Sequence, residues 1–149
     1  METATVTIAG FIEANRISLT AKRTDTNPNM DDSANMDHWK CVLIKRAETL
    51  DNGITVTIRP ARMTVYFSQG YGHNGKQPKA DSVLDCLASD AASVENARSF
   101  EDWCGDLGYD SDSRKAEKIF KTVTHQAKRL KNLLGDAAFN TLLWNTERM

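Results

Sequence analysis

Residues 110–135 read DSDSRKAEKIFKTVTHQAKRLKNLLG, and their pattern predicts one long amphipathic helix. Apolar side chains recur in it at steps of three and four residues, the spacing of one helical face. They are Ala116, Ile119, Phe120, Val123, Ala127, Leu130 and Leu134. Ser111 or Ser113 can cap the start, and Gly135 stands where a left-handed C-terminal residue is favoured. We therefore expect a continuous helix over residues 111–134.

The polar side of this helix is strongly basic. At about 100° per residue, its positive or titratable side chains fall opposite the apolar ones. They are Arg114, Lys118, Lys121, His125, Lys128 and Arg129. A row of this kind can neutralise several phosphates of a nucleic acid or meet an acidic partner. Aromatic residues that could stack on bases are Tyr66, Tyr71 and Trp39. The alternative interpretation is an ordinary solvated helix surface.

The chain before residue 76 is predicted to be mainly β. Thr7 can cap a short helix that ends near Asn15, although the alternation in TATVTIA, residues 3–9, fits a strand as the alternative. An alternating stretch from Ile17 predicts a first strand. Further strands are predicted from His38, at residues 54–58 and at residues 63–67. The triplet Asp51-Asn52-Gly53 predicts a turn, and Pro60 interrupts the last two strands. Residues 24–37 are rich in turn formers and predict a loop.

The chain after residue 76 is predicted to be helical. Val83, Leu84, Leu87, Ala88 and Ala91 form one helical stripe. A short helix is expected from Ser99 to Gly108, with Phe100, Trp103, Cys104 and Leu107 on its apolar face. Asp136 can cap a last helix that carries Phe139, Leu142 and Leu143. The fold class is therefore α+β: a small antiparallel sheet of three to four strands with a short N-terminal helix, then a helical C-terminal half.

Length and composition limit the classes of protein. The 149 residues fit a single domain, mainly β over 1–76 and helical over 77–149. No apolar run approaches membrane-spanning length, and METATVTIAGF lacks the features of a secretory signal. The three cysteines, Cys41, Cys86 and Cys104, are odd in number and widely spaced, which is typical of buried thiols in a reducing compartment. The formal net charge is −1.

This near-zero net charge conceals an acidic segment before the basic helix. The residues that predict an acidic binding surface are Asp85, Asp90, Glu101, Asp102 and Asp106. Such a surface could face a basic partner, imitate a nucleic acid, or mediate self-association with the basic helix of a second copy. Two solvated faces within one fold are the simpler interpretation.

The segment from Gly70 to Lys76 is the sharpest sequence motif. Gly70, Gly72 and Gly75 match G-x-G-x-x-G, a pattern in which backbone N–H groups cradle phosphates at a helix start. However, Gln77-Pro78-Lys79 separates the motif from the next helix, and no Ser or Thr follows Lys76. A glycine-rich connector is favoured over a nucleotide loop. The histidines and carboxylates show no metal-ligand or catalytic spacing, so we expect no catalytic residue, no metal and no cofactor.

The longest segment of distinctive sequence is residues 63–120, MTVYFSQGYGHNGKQPKADSVLDCLASDAASVENARSFEDWCGDLGYDSDSRKAEKIF. Together with DTNPNM, MDHWKCVL and QAKRLKNLLG, it resembles a widespread family of small proteins encoded by tailed phages and prophages. The resemblance covers most of the chain. It implies a phage accessory protein made in the cytoplasm of a bacterial host, and it implies no activity, cofactor or functional residue.

Three functions remain open at the level of sequence. The first is a non-enzymatic inhibitor of a host defence complex, similar to anti-CRISPR proteins, that blocks nucleic-acid or effector surfaces; its partner would be a host protein or ribonucleoprotein such as a CRISPR effector. The second is a direct DNA- or RNA-binding protein of phage replication or recombination. The third is a sponge for cyclic-nucleotide signals, for which the glycine motif and Lys76 would form the site.

Overall fold

The computed structural model describes residues 7–28, 36–45, 61–70 and 75–148. Its elements, in chain order, are α1 (Ile8–Ala14), β1 (Ile17–Thr24), β2 (Met36–Lys45), β3 (Ala61–Gly70), α2 (Ala80–Glu95), α3 (Phe100–Leu107), α4 (Arg114–Leu134) and α5 (Asp136–Arg148). The predicted α+β class, with a short N-terminal helix, a small antiparallel sheet and a helical second half, is confirmed. The predicted strand at 54–58, the turn at 51–53 and Pro60 lie outside the described residues.

The chain forms two compact units, Met1–Leu84 and Asp85–Met149, whose boundary falls within α2. The first unit contains α1, the sheet and the start of α2. The second contains the rest of α2 and the three following helices. No helix within the described part of the chain combines the length and the apolar character that crossing a bilayer requires.

Local capping explains the short helix α1 of the first unit. The Thr7 hydroxyl accepts a hydrogen bond from the Gly10 amide at 3.0 Å, as predicted for an N-cap. Phe11 is its buried residue, and the Asn15 side chain donates to the Phe11 carbonyl at 3.0 Å at the helix end. Arg16 then takes a positive φ of 53°, which turns the chain directly into β1.

The sheet has the strand order β1-β2-β3, and both pairs are antiparallel. Leu43 of the central strand lies opposite Leu19 on one side and Met63 on the other. Because side chains alternate between the two faces of a strand, this register places Leu19, Leu43 and Met63 on the same face. The buried apolar members of that face are Ile17, Trp39, Cys41, Leu43, Met63 and Val65.

Aromatic packing dominates the second unit. Trp103 of α3 is only 1% exposed, and its ring lies 5.1 Å from that of Phe120 in an edge-on contact. Ala116, Cys104 and the half-buried Phe100 complete this cluster, which joins α3 to α4. The Ser99 hydroxyl caps α3 by accepting from the Asp102 amide, and Gly108 ends it in the left-handed conformation, so the helix lies between the two residues predicted to bound it.

The longest helix, α4, has 21 residues and confirms a continuous helix up to residue 134, but it begins at Arg114 rather than at residue 111. Of the two candidate caps, Ser113 is the one used: its hydroxyl accepts from the Ala116 amide at 3.2 Å. Leu133 joins the predicted apolar face as a buried residue, and α4 packs against both α3 and α5. Gly135 has the expected positive φ of 85°, but its ψ of 159° lies outside the left-handed helical region that we predicted.

Three further side chains differ from the sequence prediction. Leu107 is 48% exposed, although its spacing placed it on the apolar face of α3. It lies in the last turn, where α3 ends before the side chain is covered. Cys86 is exposed while Cys41 and Cys104 are buried. Asp136 is the first residue of α5 rather than a cap preceding it.

Candidate nucleic-acid interface

The basic side chains of α4 form one surface row, which we call the basic stripe. Its members are Arg114, Lys118, Lys121, His125, Lys128 and Arg129. All are exposed except Arg129, which is half-buried. At about 100° per residue they occupy a sector about 100° wide, opposite the buried residues. From Arg114 to Arg129 the stripe is about 22 Å long at about 1.5 Å per residue.

The charged groups of the stripe lie at the surface of α4, although Arg129 is half-buried. Lys121 Nζ lies 3.0 Å from a carboxylate oxygen of Glu117, one turn earlier. Both side chains are more than half exposed, so this ion pair contributes little to stability and exchanges readily for another anion. Lys131 is not a member of the stripe, because it lies on another side of α4 with its ammonium 5.9 Å from the centre of the Phe139 ring.

A shallow depression adjoins the stripe. Its volume is about 220 Å³, and its lining residues are Phe120, Lys121, Thr124, His125 and Lys128. Three of these belong to the predicted site, whereas Phe120 and Thr124 were not predicted as site residues. The Thr124 hydroxyl oxygen is buried and has no hydrogen-bond partner among the described residues. The depression therefore combines exposed cationic or titratable side chains with one aromatic side chain.

The predicted acidic surface is spread over two helices. Asp85 on α2 and Glu101, Asp102 and Asp106 on α3 are exposed. Asp102 has a structural role, because one of its oxygens accepts from the Arg98 amide at 3.0 Å. Among the residues that the structure describes, no group of three side chains with metal-binding atoms comes together.

Asp90 differs from the other carboxylates because it is half-buried. Burial raises the pKa of its carboxyl above the ordinary value, since the ionised form loses solvation. Burial also raises the pKa of the neighbouring Cys86 thiol, and the Asp90 and Asp85 carboxylates raise it further. Cys86 is thus an exposed thiol with a weak tendency to form the reactive thiolate.

The glycine motif is described only in part. Gly70 is the last residue of β3, and Gly75 has a positive φ of 70°, which glycine adopts without strain. Lys76 is exposed, and its carbonyl accepts a hydrogen bond from the Gln69 side chain at 3.0 Å. Gly72 lies outside the described residues, so the nucleotide-loop hypothesis stays a prediction.

Sequence reasoning missed a buried polar cluster at one end of the sheet. Asp37 is 5% exposed and pairs with the Arg23 guanidinium. His38 is 4% exposed, and its Nδ1 lies 2.7 Å from the Ser68 hydroxyl, which also accepts from the Asn27 amide at 2.9 Å. These bonds attach the segment after β1 to the ends of β2 and β3. We interpret this cluster as structural, because its polar groups bond to one another, and we call it the polar clasp.

Of the aromatic residues that the sequence offers for base stacking, Trp39 and Tyr66 belong to the sheet of the first unit. Trp39 is 5% exposed on the buried face of the sheet, so the prediction that it could stack on bases is wrong. Tyr66 is half-buried on β3, and Tyr71 lies outside the described residues. The aromatic residue beside the basic stripe is Phe120, which its spacing had assigned to the core alone.

Fold and site together define an α+β protein of two compact units with a basic surface helix in the second. Comparison with models of protein families gives no match, and neither curated proteins nor solved structures give a significant one. The functional assignment therefore depends on the geometry and charge of α4.

Proposed function

We propose that the protein binds nucleic acid through the basic stripe of α4, by contacts to the phosphate backbone. The observation that carries this proposal is the alignment of six positive or titratable side chains along about 22 Å of one exposed helical face. A backbone offers about one phosphate per 3.4 Å of helix axis on each strand. Several members of the stripe can therefore meet phosphates at the same time.

The charge content of α4 supports binding over simple solvation. Solvated surface helices usually mix both signs and gain stability from pairs four residues apart. The helix contains only one acidic residue, Glu117. Its lysines and arginines are Arg114, Lys115, Lys118, Lys121, Lys128, Arg129 and Lys131. This excess of one sign costs repulsion energy along the helix, and a polyanion would relieve that repulsion.

Salt dependence is the direct test. Binding of the full chain to fluorescein-labelled 20-mer oligonucleotides would be measured by anisotropy between about 50 and 200 mM salt. If the five Lys and Arg members of the stripe each displace one counterion, the slope of log K against log salt is about −4.5 on duplex DNA and about −3.5 on a single strand. Absence of binding at about 50 mM salt to either form would refute the proposal.

A charge-matched pair of variants locates the contact. Lys118→Gln/Lys128→Gln removes two charges from the stripe, whereas Lys22→Gln/Lys40→Gln removes two exposed charges from the sheet. Both change the net charge from −1 to −1 − 2 = −3. On duplex DNA, we expect the α4 variant to reduce the magnitude of the slope of log K against log salt by about 1.8. The sheet variant should leave that slope unchanged. Equal effects would show that net charge, and not α4, controls binding.

A second function, blockade of a host nucleic-acid-handling complex, is favoured by the exposed carboxylates Asp85, Glu101 and Asp106. Carboxylates on a surface can occupy a groove that normally takes phosphates. The proposed partner is a host defence complex, with a CRISPR effector as the leading case and a bacterial cytoplasm as the place of action. The test is inhibition of a purified effector by the full chain. Loss of inhibition in the variant Glu101→Gln/Asp106→Asn supports blockade. If neither the wild-type protein nor the variant inhibits the effector, blockade is refuted.

A further inference from the structure

The depression on α4 has two chemically different sides. Phe120 and Thr124 are four residues apart and form one row along the helix. Lys121, His125 and Lys128 form the adjoining row at steps of four and three. One side thus offers an aromatic ring and a threonine, and the other offers cationic or titratable groups. A phosphate alone would use only the second side.

The size of the depression limits what it can hold. Its volume of about 220 Å³ is below the range of about 300–1,000 Å³ that is typical of sites for drug-sized ligands. It can therefore receive a single planar ring system, and the rest of a longer ligand must lie outside on the helix surface. A nucleotide within a strand fits this description, because its base is a flat ring system and its phosphate is a separate charged group.

The aromatic side is held in place before any ligand binds. The Phe120 ring makes edge-on contacts with Phe100, at a centroid distance of 5.2 Å, and with Trp103, at 5.1 Å. Because these contacts restrict the ring, little conformational entropy is lost when a base packs on it. Thr124 lines the same side of the depression, and its hydroxyl oxygen is buried.

From this geometry we infer that the depression receives one unstacked base of a single-stranded nucleic acid, while Lys121 and Lys128 hold the adjoining phosphates. The inference rests on the proposed function and deepens it. A duplex keeps its bases stacked inside, so it reaches the stripe but not the Phe120 side. The protein is therefore selective for single strands over duplexes.

The experiment compares three 12-mer ligands with the same backbone chemistry: oligothymidine, an abasic single strand and a DNA duplex. Full-length protein is titrated against each at about 50 mM salt, and anisotropy gives the affinities. Stacking of one base predicts that oligothymidine binds about 5- to 150-fold tighter than the abasic strand. The abasic strand and the duplex still bind, since both present phosphates to the stripe.

Two variants separate the depression from the stripe. Thr124→Met fills the depression, and Thr122→Met makes the same change at a residue of α4 that does not line it. We expect Thr124→Met to lose the preference for oligothymidine while it keeps its affinity for the abasic strand and its salt slope. Thr122→Met is expected to keep the preference for oligothymidine, the affinity for the abasic strand and the salt slope. Phe120→Leu, with folding verified by circular dichroism, is expected to match Thr124→Met.

The outcomes distinguish the two proposals. Equal affinity of the wild-type protein for oligothymidine and the abasic strand would overturn the base site and leave the basic stripe intact. An unchanged base preference in Thr124→Met would overturn it as well. Absence of salt-dependent binding to all three ligands would overturn both the base site and the proposed function.

Discussion

At the scale of single residues, Ser93 provides the hydrogen-bond acceptor for the buried indole of Trp103. Its hydroxyl accepts a hydrogen bond from the Trp103 indole at 3.1 Å and donates to the Asp90 carbonyl at 2.6 Å. Trp103 is 1% exposed, so no solvent can replace this acceptor. A buried donor left without a partner costs about 1–3 kcal/mol.

Ser93→Ala is therefore expected to lower the free energy of unfolding by about 1–3 kcal/mol, less the small gain in helix propensity that alanine brings. Urea denaturation of the full chain measures the change. Ser89→Ala is the matched control, because Ser89 lies one turn earlier on α2 and is exposed. Equal stability of the two variants would contradict the importance of the indole hydrogen bond.

Asp90 provides a prediction about pH. Burial raises the pKa of its carboxyl in the folded state above the value in the unfolded chain, so the folded state binds more protons between the two values. The free energy of unfolding contributed by this group is therefore highest at low pH. It falls as the pH rises through the ordinary value of 3.8 to the raised folded pKa.

Asp90→Asn removes this penalty, because the amide does not ionise. The variant should be more stable than the wild-type protein at pH 7, and the difference should shrink as the pH approaches 3.8. Denaturation at a series of pH values measures it. Asp85→Asn, an exposed carboxylate on the same helix, serves as the control. A difference that does not vary with pH would refute the assignment to burial.

At the scale of elements, the start of α4 is set by one hydroxyl. The Ser113 side chain caps the helix, while Ser111 lies in the preceding turn, where Asp110 accepts from the Asp112 amide at 3.0 Å. Replacing a capping serine by alanine costs about 0.5–2 kcal/mol. Ser113→Ala should therefore lower the unfolding free energy by about 1 kcal/mol, and Ser111→Ala should change it by less than about 0.5 kcal/mol. Equal losses in urea denaturation would show that the cap is misassigned.

The helices were predictable because their signals are local. The apolar period of α4, the Ser99 cap and the glycine at 108 each act within a few residues of their own position. The same holds for the basic stripe, which follows from helical spacing alone. Leu107 was mispredicted because periodicity indicates the direction of a side chain and not whether a neighbour covers it.

The depression and the polar clasp depend on contacts distant in sequence. Phe120 becomes one side of a site because α3 positions Phe100 and Trp103 against its ring. His38 and Ser68 meet because β2 and β3 pair in a register that places them opposite each other. Strand register depends on which residues the sheet buries, so alternation within one strand does not reveal its partner.

At the scale of the whole molecule, the net charge of −1 would oppose binding of a polyanion. The basic stripe must therefore act through its local field, and the carboxylates of α3, which packs against α4, reduce that field at a distance. If the protein binds nucleic acid, this arrangement means that the acidic residues lower the association rate. It makes them the contact surface if the protein imitates nucleic acid.

Glu101→Gln/Asp106→Asn distinguishes these cases and changes the net charge from −1 to −1 + 2 = +1. Under direct binding, we expect the association rate with a single-stranded oligonucleotide to rise several-fold at about 10 mM ionic strength, where the screening length is about 30 Å. The dissociation rate should stay the same, because neither residue touches the ligand. At about 1 M salt the screening length is about 3 Å, and the gain should disappear. Stopped-flow fluorescence measures both rates, and a gain that persists at high salt would mean that the carboxylates contact the ligand itself.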